Sequence, residues 1–105
     1  MNKKLLAQLR KRDAHCWHCG AQEDLVPHHR KNRGAGGSKI LDHPANLLLV
    51  CGLYNMLMES DSEIADEARV YRHKLRQTDT FFKPVYDRFQ ERWFILDMEG
   101  NKAEK

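Results

Sequence analysis

The sequence has few cysteines and no long apolar run. Its three cysteines in 105 residues cannot all pair within one chain, so a disulfide framework is not expected. The longest apolar run, Leu47–Val50, has four residues, far short of the roughly 20 that span a bilayer. Lys3 and Lys4 precede no apolar segment of about 7–15 residues, so no secretory signal is expected. We therefore expect a protein of the reducing cytoplasm that does not enter the membrane.

The charge is distributed unevenly along the chain. Residues 1–45 carry nine Lys and Arg against four Asp and Glu, a net of +5, whereas residues 46–105 carry nine against eleven, a net of −2. A basic excess is expected where a polyanion approaches a site. A solvated basic face is the alternative explanation. The composition, 41% hydrophobic and 31% charged, argues against general disorder.

The length and the hydrophobic periodicity predict a single α+β domain over residues 1–105. Leucines at helical spacing predict a helix over 3–12. A strand is expected at 25–29, and the apolar run at 47–50 predicts a buried strand or the entry to a helix that continues through 51–58.

The second half of the sequence predicts a helix followed by a hairpin. Ser60 or Asp61 can cap a helix over about 61–76. Aromatic and β-branched residues predict a C-terminal β-hairpin over about 84–97. The tail after Glu99 is expected to be frayed.

Two cysteines form a Cys-x-x-Cys motif, and a third lies far along the chain. Cys16 and Cys19 can face one ion from a turn in which Gly20 suits a positive φ, and Cys51 can supply a third thiolate. Tyr54 stands where a second Cys-x-x-Cys would end. Possible fourth ligands for a structural zinc ion are His15, His18 and His43. The alternative is three reduced thiols without metal.

A glycine-rich loop with flanking basic residues covers residues 32–39. A backbone that approaches a phosphate closely needs glycine and cations together. We therefore expect a DNA-facing loop, with a flexible linker as the alternative. The predicted DNA-binding residues are Arg30, Lys31, Arg33 and Lys39.

Two adjacent histidines precede this loop, and two asparagines follow it. Neighbouring residues on a strand point to opposite sides. His28 and His29 can therefore serve one site only if the strand bends or a ring is reoriented. Asn46 precedes Cys51 by five residues and Asn55 by nine.

The order of these motifs resembles the HNH endonuclease family, whose fold is a ββα-metal core with, in some members, a zinc knuckle. The resemblance covers roughly residues 13–60 and depends on the joint order Cys16-x-x-Cys19, His28-His29, Asn46, Cys51 and Asn55. It is nearest to small stand-alone HNH proteins of bacteriophages, some of which work beside the DNA-packaging terminase.

The resemblance implies a role for each matching residue. His29 would be the general base that deprotonates the attacking water. His28 and Asn55 would hold one divalent cation, Mg²⁺ or Mn²⁺, at the scissile phosphate. Asn46 would fix the His29 ring through a hydrogen bond. The sequence departs from the family at Tyr54, in place of the usual fourth cysteine, and at Asn55, in place of the more frequent final histidine.

The resemblance thus implies a metal-dependent DNA endonuclease that hydrolyses phosphodiesters in a bacterial host cell, acting in phage DNA processing or packaging. DNA is the expected partner, with a terminase or another packaging protein as a second. Two alternatives remain. One is a non-catalytic, zinc-stabilised module that binds DNA or a packaging protein and retains a degenerate site. The other is a redox protein that uses Cys16 and Cys19.

The remaining aromatic and histidine residues are expected to be structural. His73, between Arg72 and Lys74, is expected on a solvated face. The aromatic residues could stack on nucleobases but are more often part of a core. They are Trp17, Phe81, Phe82, Tyr86, Trp93 and Phe94.

Overall fold

A computed structural model describes residues 2–32 and 39–105, with the side chain of Lys39 excepted. It is a small α+β domain with three helices and two antiparallel sheets, as the hydrophobic periodicity predicts. The helices are α1 (Lys3–Arg12), α2 (Gly52–Ser60) and α3 (Ser62–Tyr71). The strands are β1 (Leu25–His29), β2 (Leu47–Cys51), β3 (Val85–Asp87), β4 (Arg92–Leu96) and β5 (Lys102–Glu104).

Strands β1 and β2 pair antiparallel, and α2 follows β2 without a loop. His28 lies opposite Leu48, and His29 lies opposite Leu47. The Cys51 side chain caps α2, since its Sγ accepts from the Tyr54 amide. The helix packs against both strands. Residues 25–60 therefore form a strand, strand and helix in succession, with the two histidines on the first strand.

Strand β2 is buried on both faces, which explains its continuous apolar run. Leu47 and Leu49 pack with Leu5 and Leu9 of α1 in one cluster. Leu48 and Val50 face the larger cluster. The other members of that larger cluster include Trp17, Tyr54, Met58, Val85, Phe94 and Leu96. The core thus fixes β2 between α1 and the C-terminal half of the chain.

Helix α3 is shorter than the sequence predicts. Of the two predicted caps, Asp61 is the one that acts, because its side chain accepts from the amides of Glu63 and Ile64. The helix ends at Tyr71, since Arg72 adopts a left-handed conformation with φ 61°. The prediction of a helix to about residue 76 is therefore wrong. The reversal at Arg72 turns the following residues inward, and His73 is fully buried.

The C-terminal hairpin is present, but it belongs to a three-stranded sheet. Strands β3 and β4 pair antiparallel, and β5 pairs with the other edge of β4. The Asp97 side chain accepts from the amides of Glu99 and Asn101 and so orders the turn before β5. The prediction of a frayed tail after Glu99 is therefore wrong. No helix within the described ranges is long and apolar enough to cross a membrane.

Candidate metal centre and histidine site

Three thiols meet where the loop after α1 approaches the end of β2. The Sγ atoms of Cys16, Cys19 and Cys51 all lie within 4.8 Å of one another, and those of Cys19 and Cys51 are 3.8 Å apart. Gly20 has the predicted positive φ, 80°, which lets the chain turn directly after Cys19. The cluster can hold a metal ion such as zinc, for which thiolates are common ligands.

The surroundings of the thiols suit a metal-bound thiolate cluster. Cys16 Sγ accepts from the His18 amide at 3.3 Å, and Cys51 Sγ accepts from the Tyr54 amide at 3.4 Å. Burial raises the pKa of the Cys16 thiol to about 11. A buried thiol of this kind ionises readily only beside a cation, and a coordinated metal ion supplies that charge.

None of the three histidines considered as a fourth ligand joins the cluster formed by the described residues. His15 Nε2 pairs with Asp87 at 2.8 Å. His18 Nε2 lies 3.5 Å from Glu67, and its ring stacks on Tyr54 at 4.0 Å. His43 packs edge-on against Phe81. The described site therefore has three protein thiols. In the sequence, Tyr54 stands where a fourth cysteine would complete a second Cys-x-x-Cys.

His28 is a buried, neutral imidazole held in one orientation. Its Nε2–H donates to the His73 carbonyl at 2.9 Å, so Nδ1 is the nitrogen that keeps a lone pair. The Asn55 side chain lies near the same ring. Burial lowers the pKa of His28 to about 4, although the His73 carbonyl and Asn55 oppose the shift. A neutral imidazole whose other nitrogen donates to a carbonyl is the form in which histidine binds metals.

His29, the next residue along β1, pairs with a different group. Its Nε2 lies 2.6 Å from Asp42 Oδ1, and both side chains are about one-fifth exposed. A carboxylate on one ring nitrogen orients the imidazole and stabilises the charge it acquires on taking a proton. Asp42 was missed by the sequence reasoning, because it lies 13 residues away and belongs to no motif.

Asn46 is fully buried, and its side-chain hydrogen bonds go to the backbone rather than to the His29 ring. Its Oδ1 accepts from the Lys31 amide at 2.8 Å, and its Nδ2 donates to the carbonyls of Lys31 and Leu41. The predicted hydrogen bond from Asn46 to His29 is therefore wrong in its partner. Asn46 instead ties the chain just after β1 to the chain just before β2.

The basic residues predicted to bind DNA differ in their exposure to solvent. Arg30 is only 1% exposed, so the prediction that it contacts DNA is wrong. Its guanidinium donates to backbone carbonyls of Ala45, Arg72, Phe81 and Lys83.

Lys31 remains partly exposed. Its Nζ lies 4.4 Å from the centre of the Phe81 ring and donates to the Gln77 carbonyl at 3.1 Å. Arg33 and the side chain of Lys39 lie outside the described residues.

His73 connects α2, which carries Tyr54, to β1, which carries His28. Its Nδ1 accepts from the Tyr54 hydroxyl at 2.7 Å, and its Nε2–H donates to the Tyr86 carbonyl at 2.6 Å. Burial lowers the pKa of His73 to about 3. The expectation of a solvated His73 is therefore wrong. It is a fully bonded core histidine whose carbonyl also positions His28.

No protein-family model, curated protein or solved structure matches this chain. The described residues provide a thiol cluster suited to a soft metal ion. They also provide a neutral imidazole and amide pair, His28 and Asn55, beside a histidine–carboxylate pair, His29 and Asp42. These four side chains bring neutral nitrogen and oxygen donors beside a histidine that is paired with a carboxylate.

Proposed function

We propose that this protein is a metal-dependent DNA endonuclease of the HNH type. The observation that carries the proposal is the placement of the buried His28 ring on β1, the strand against which α2, the helix of Asn55, packs. His29, the next residue along β1, pairs with the carboxylate of Asp42. The succession of two antiparallel strands and a helix over residues 25–60 supports a ββα-metal core, and the motif order of the sequence supports the family.

The donor set of His28 and Asn55 fits a divalent cation bound together with substrate. The buried ring keeps Nδ1 as its lone-pair nitrogen, because Nε2–H is used on the His73 carbonyl. Imidazole and amide are both neutral, so much of the affinity for Mg²⁺ or Mn²⁺ would come from phosphate and water. When bound, such an ion stabilises the charge that develops on the phosphate and on the leaving oxygen.

The His29–Asp42 pair supplies the proton chemistry. With Nε2–H donated to Asp42, Nδ1 of His29 can take a proton from the attacking water. The water oxygen then forms a bond to phosphorus while the bond from phosphorus to the 3′ oxygen breaks. Asp42 stabilises the resulting imidazolium, and the 3′ oxygen takes a proton from solvent. Asn46 would act by anchoring the two ends of the loop beside His29, rather than through the ring.

The thiol cluster would have a structural role. A zinc ion held by Cys16, Cys19 and Cys51 would fasten the loop after α1 to the start of α2, the helix that carries Asn55. Small domains depend strongly on such ions, because their cores are limited. DNA is the proposed substrate, and work beside a phage terminase stays a prediction of the sequence resemblance.

A plasmid-nicking assay with added Mg²⁺ or Mn²⁺ tests the proposal. The wild-type protein is expected to nick supercoiled DNA. His29→Ala is expected to lose roughly 10²–10⁴-fold of that rate, the usual contribution of a general base. DNA binding, measured separately without added Mg²⁺ or Mn²⁺, should be unchanged in this variant.

A matched control exists in the same chain. His15 also pairs with an aspartate, Asp87, at 2.8 Å, and His15→Ala is expected to retain nicking. Full nicking by His29→Ala would exclude the assigned base. A folded, zinc-containing wild-type protein that binds DNA but nicks with neither cation would favour the non-catalytic module.

A further inference from the structure

A series of aromatic rings leads out to the surface of the C-terminal sheet. Tyr71 and Tyr86 stack with their centroids 5.5 Å apart at 30°, and Tyr86 and Trp93 follow at 5.0 Å and 46°. Trp93 is 36% exposed, whereas the other tryptophan, Trp17, is 1% exposed. The alternation along β4 explains this position, since Phe94 and Leu96 point into the core. Trp93 is therefore a partly exposed indole at the end of a series of adjoining rings.

A hollow of about 530 Å³ lies beside this indole, lined by Arg72, Pro84, Trp93 and Lys105. The Arg72 guanidinium carbon is 5.8 Å from the ring centre, and its Nη1 donates to the Pro84 carbonyl at 3.3 Å. The left-handed backbone of Arg72 ends α3 at this point. The hollow thus combines a partly exposed indole with two cationic side chains.

A second hollow of about 400 Å³ shares Arg72 and is also basic. Together the two hollows are lined by five cationic side chains and two carboxylates, an excess of three positive charges. The carboxylates already pair with cations of the same hollow, Asp66 with Arg69 at 2.8 Å and Asp79 with Lys83 at 2.9 Å. The cations are Arg69, Arg72, Arg76, Lys83 and Lys105.

We propose that this face, Trp93 with the two adjoining hollows, binds single-stranded nucleic acid. An unpaired base would stack on Trp93, and the neighbouring phosphates would lie along the cations from Lys105 and Arg72 toward Arg76. Proteins that bind single strands combine an aromatic stacking surface with a basic track in this way. A duplex keeps its bases stacked inside, and an acidic peptide has no obligatory planar group. The proposal goes beyond the nuclease site, because it requires no cleavage.

The test is fluorescence titration with a single-stranded 12-nucleotide oligo(dT). It uses the whole zinc-replete chain carrying His29→Ala, without added Mg²⁺ or Mn²⁺, and electrophoresis checks that the strand stays intact. Trp93 emission is expected to be quenched on binding. Adding Trp93→Ala is expected to weaken binding roughly tenfold, within the usual range for one stacked base. Phe89→Ala, which removes an aromatic residue that is 59% exposed but lies outside both hollows, should bind as the parent does.

A second measurement addresses the phosphate track. Arg76→Gln with Lys105→Gln is expected to reduce the slope of log affinity against log salt by about 1.4, the value for two phosphate contacts on a single strand. This variant leaves the indole in place, so it remains informative if circular dichroism shows that Trp93→Ala is unfolded.

Several outcomes would overturn the proposal. They are a folded Trp93→Ala variant with unchanged affinity for oligo(dT), no change in tryptophan emission at saturation, and a loss of affinity for a 12-base-pair duplex or for polyglutamate on Trp93→Ala that is as large as the loss for oligo(dT). A protein that nicks DNA yet gives any of these results fails this proposal alone. A protein that binds oligo(dT) through Trp93 but never nicks fails the proposed nuclease function alone.

Discussion

The two candidate metal sites lie at the same end of α2 but differ in charge and in the strength of their ligands. The cluster of Cys16, Cys19 and Cys51 would carry three negative charges when it binds a metal ion. One helical turn after Cys51, Asn55 lies near the neutral ring of His28. Thiolate ligands alone can bind zinc tightly. A cation held by imidazole and amide donors would instead depend on the substrate for much of its affinity. In the proposed function, one short segment would therefore combine a permanent structural site with a site that fills only on DNA.

Tyr54 contacts both sites. Its amide donates to Cys51 Sγ, and its hydroxyl donates to His73, whose carbonyl in turn accepts from His28. Tyr54, which stands where a second Cys-x-x-Cys would end, thus makes a hydrogen bond that supports the orientation of His28. The following predictions test how independent the two sites are.

The largest expected effect is on stability, at the thiol cluster. Removing zinc with a chelator, or changing Cys51→Ser, is expected to lower the free energy of unfolding by on the order of 10 kcal/mol, enough to unfold a domain of ordinary stability. Elemental analysis and thermal melts followed by circular dichroism measure the effect. Asn55→Ala, which removes at most one partner of the His28 ring, is expected to cost no more than about 1–3 kcal/mol. A metal-free protein with an unchanged melting temperature would remove the distinction between the sites.

The next largest expected effect is on the rate of DNA nicking, and it arises at the His29–Asp42 pair. Asp42→Asn is expected to slow nicking by roughly 10²-fold, because an amide can donate to His29 Nε2 and favour the tautomer that lacks a basic Nδ1. Glu67→Gln is the matched change near the cysteines, since Glu67 lies 3.5 Å from His18 Nε2. That variant should nick normally, and both should keep their zinc. Equal losses of nicking in both variants would show that the two sites act as one unit.

Local pattern predicts the parts of this molecule that depend on neighbouring residues. The apolar run of β2 and the helical spacing after Cys51 predict the strand–helix junction. That junction fixes Cys51 and Asn55 relative to each other. The Cys-x-x-Cys turn needs only its own residues and Gly20. The convergence of three cysteines could therefore be predicted, although its fourth ligand could not.

Contacts between distant segments could not be predicted. Arg30 resembles its basic neighbours in the sequence, but it is buried because four carbonyls from residues 45, 72, 81 and 83 surround it. His73 is buried because Arg72 takes a left-handed conformation. The sequence does not predict that conformation, because glycine is the residue that usually adopts it. Asp42 reaches His29 across a loop whose path local spacing does not determine.

The smallest expected effect concerns the residue that joins the sites. Tyr54→Phe keeps the ring and the amide but leaves His73 Nδ1 buried without a donor, which is expected to cost about 1–3 kcal/mol. The melting temperature should fall by several degrees, since about 1 kcal/mol corresponds to roughly 4–8 °C for a domain of this size. Tyr71→Phe is the control, because the Tyr71 hydroxyl makes no hydrogen bond within the described chain. Zinc content should stay unchanged, and nicking should change only a few-fold, because the His73 carbonyl still holds His28. If Tyr54→Phe instead releases zinc, the hydroxyl supports the thiol cluster, and the two sites are one cooperative unit.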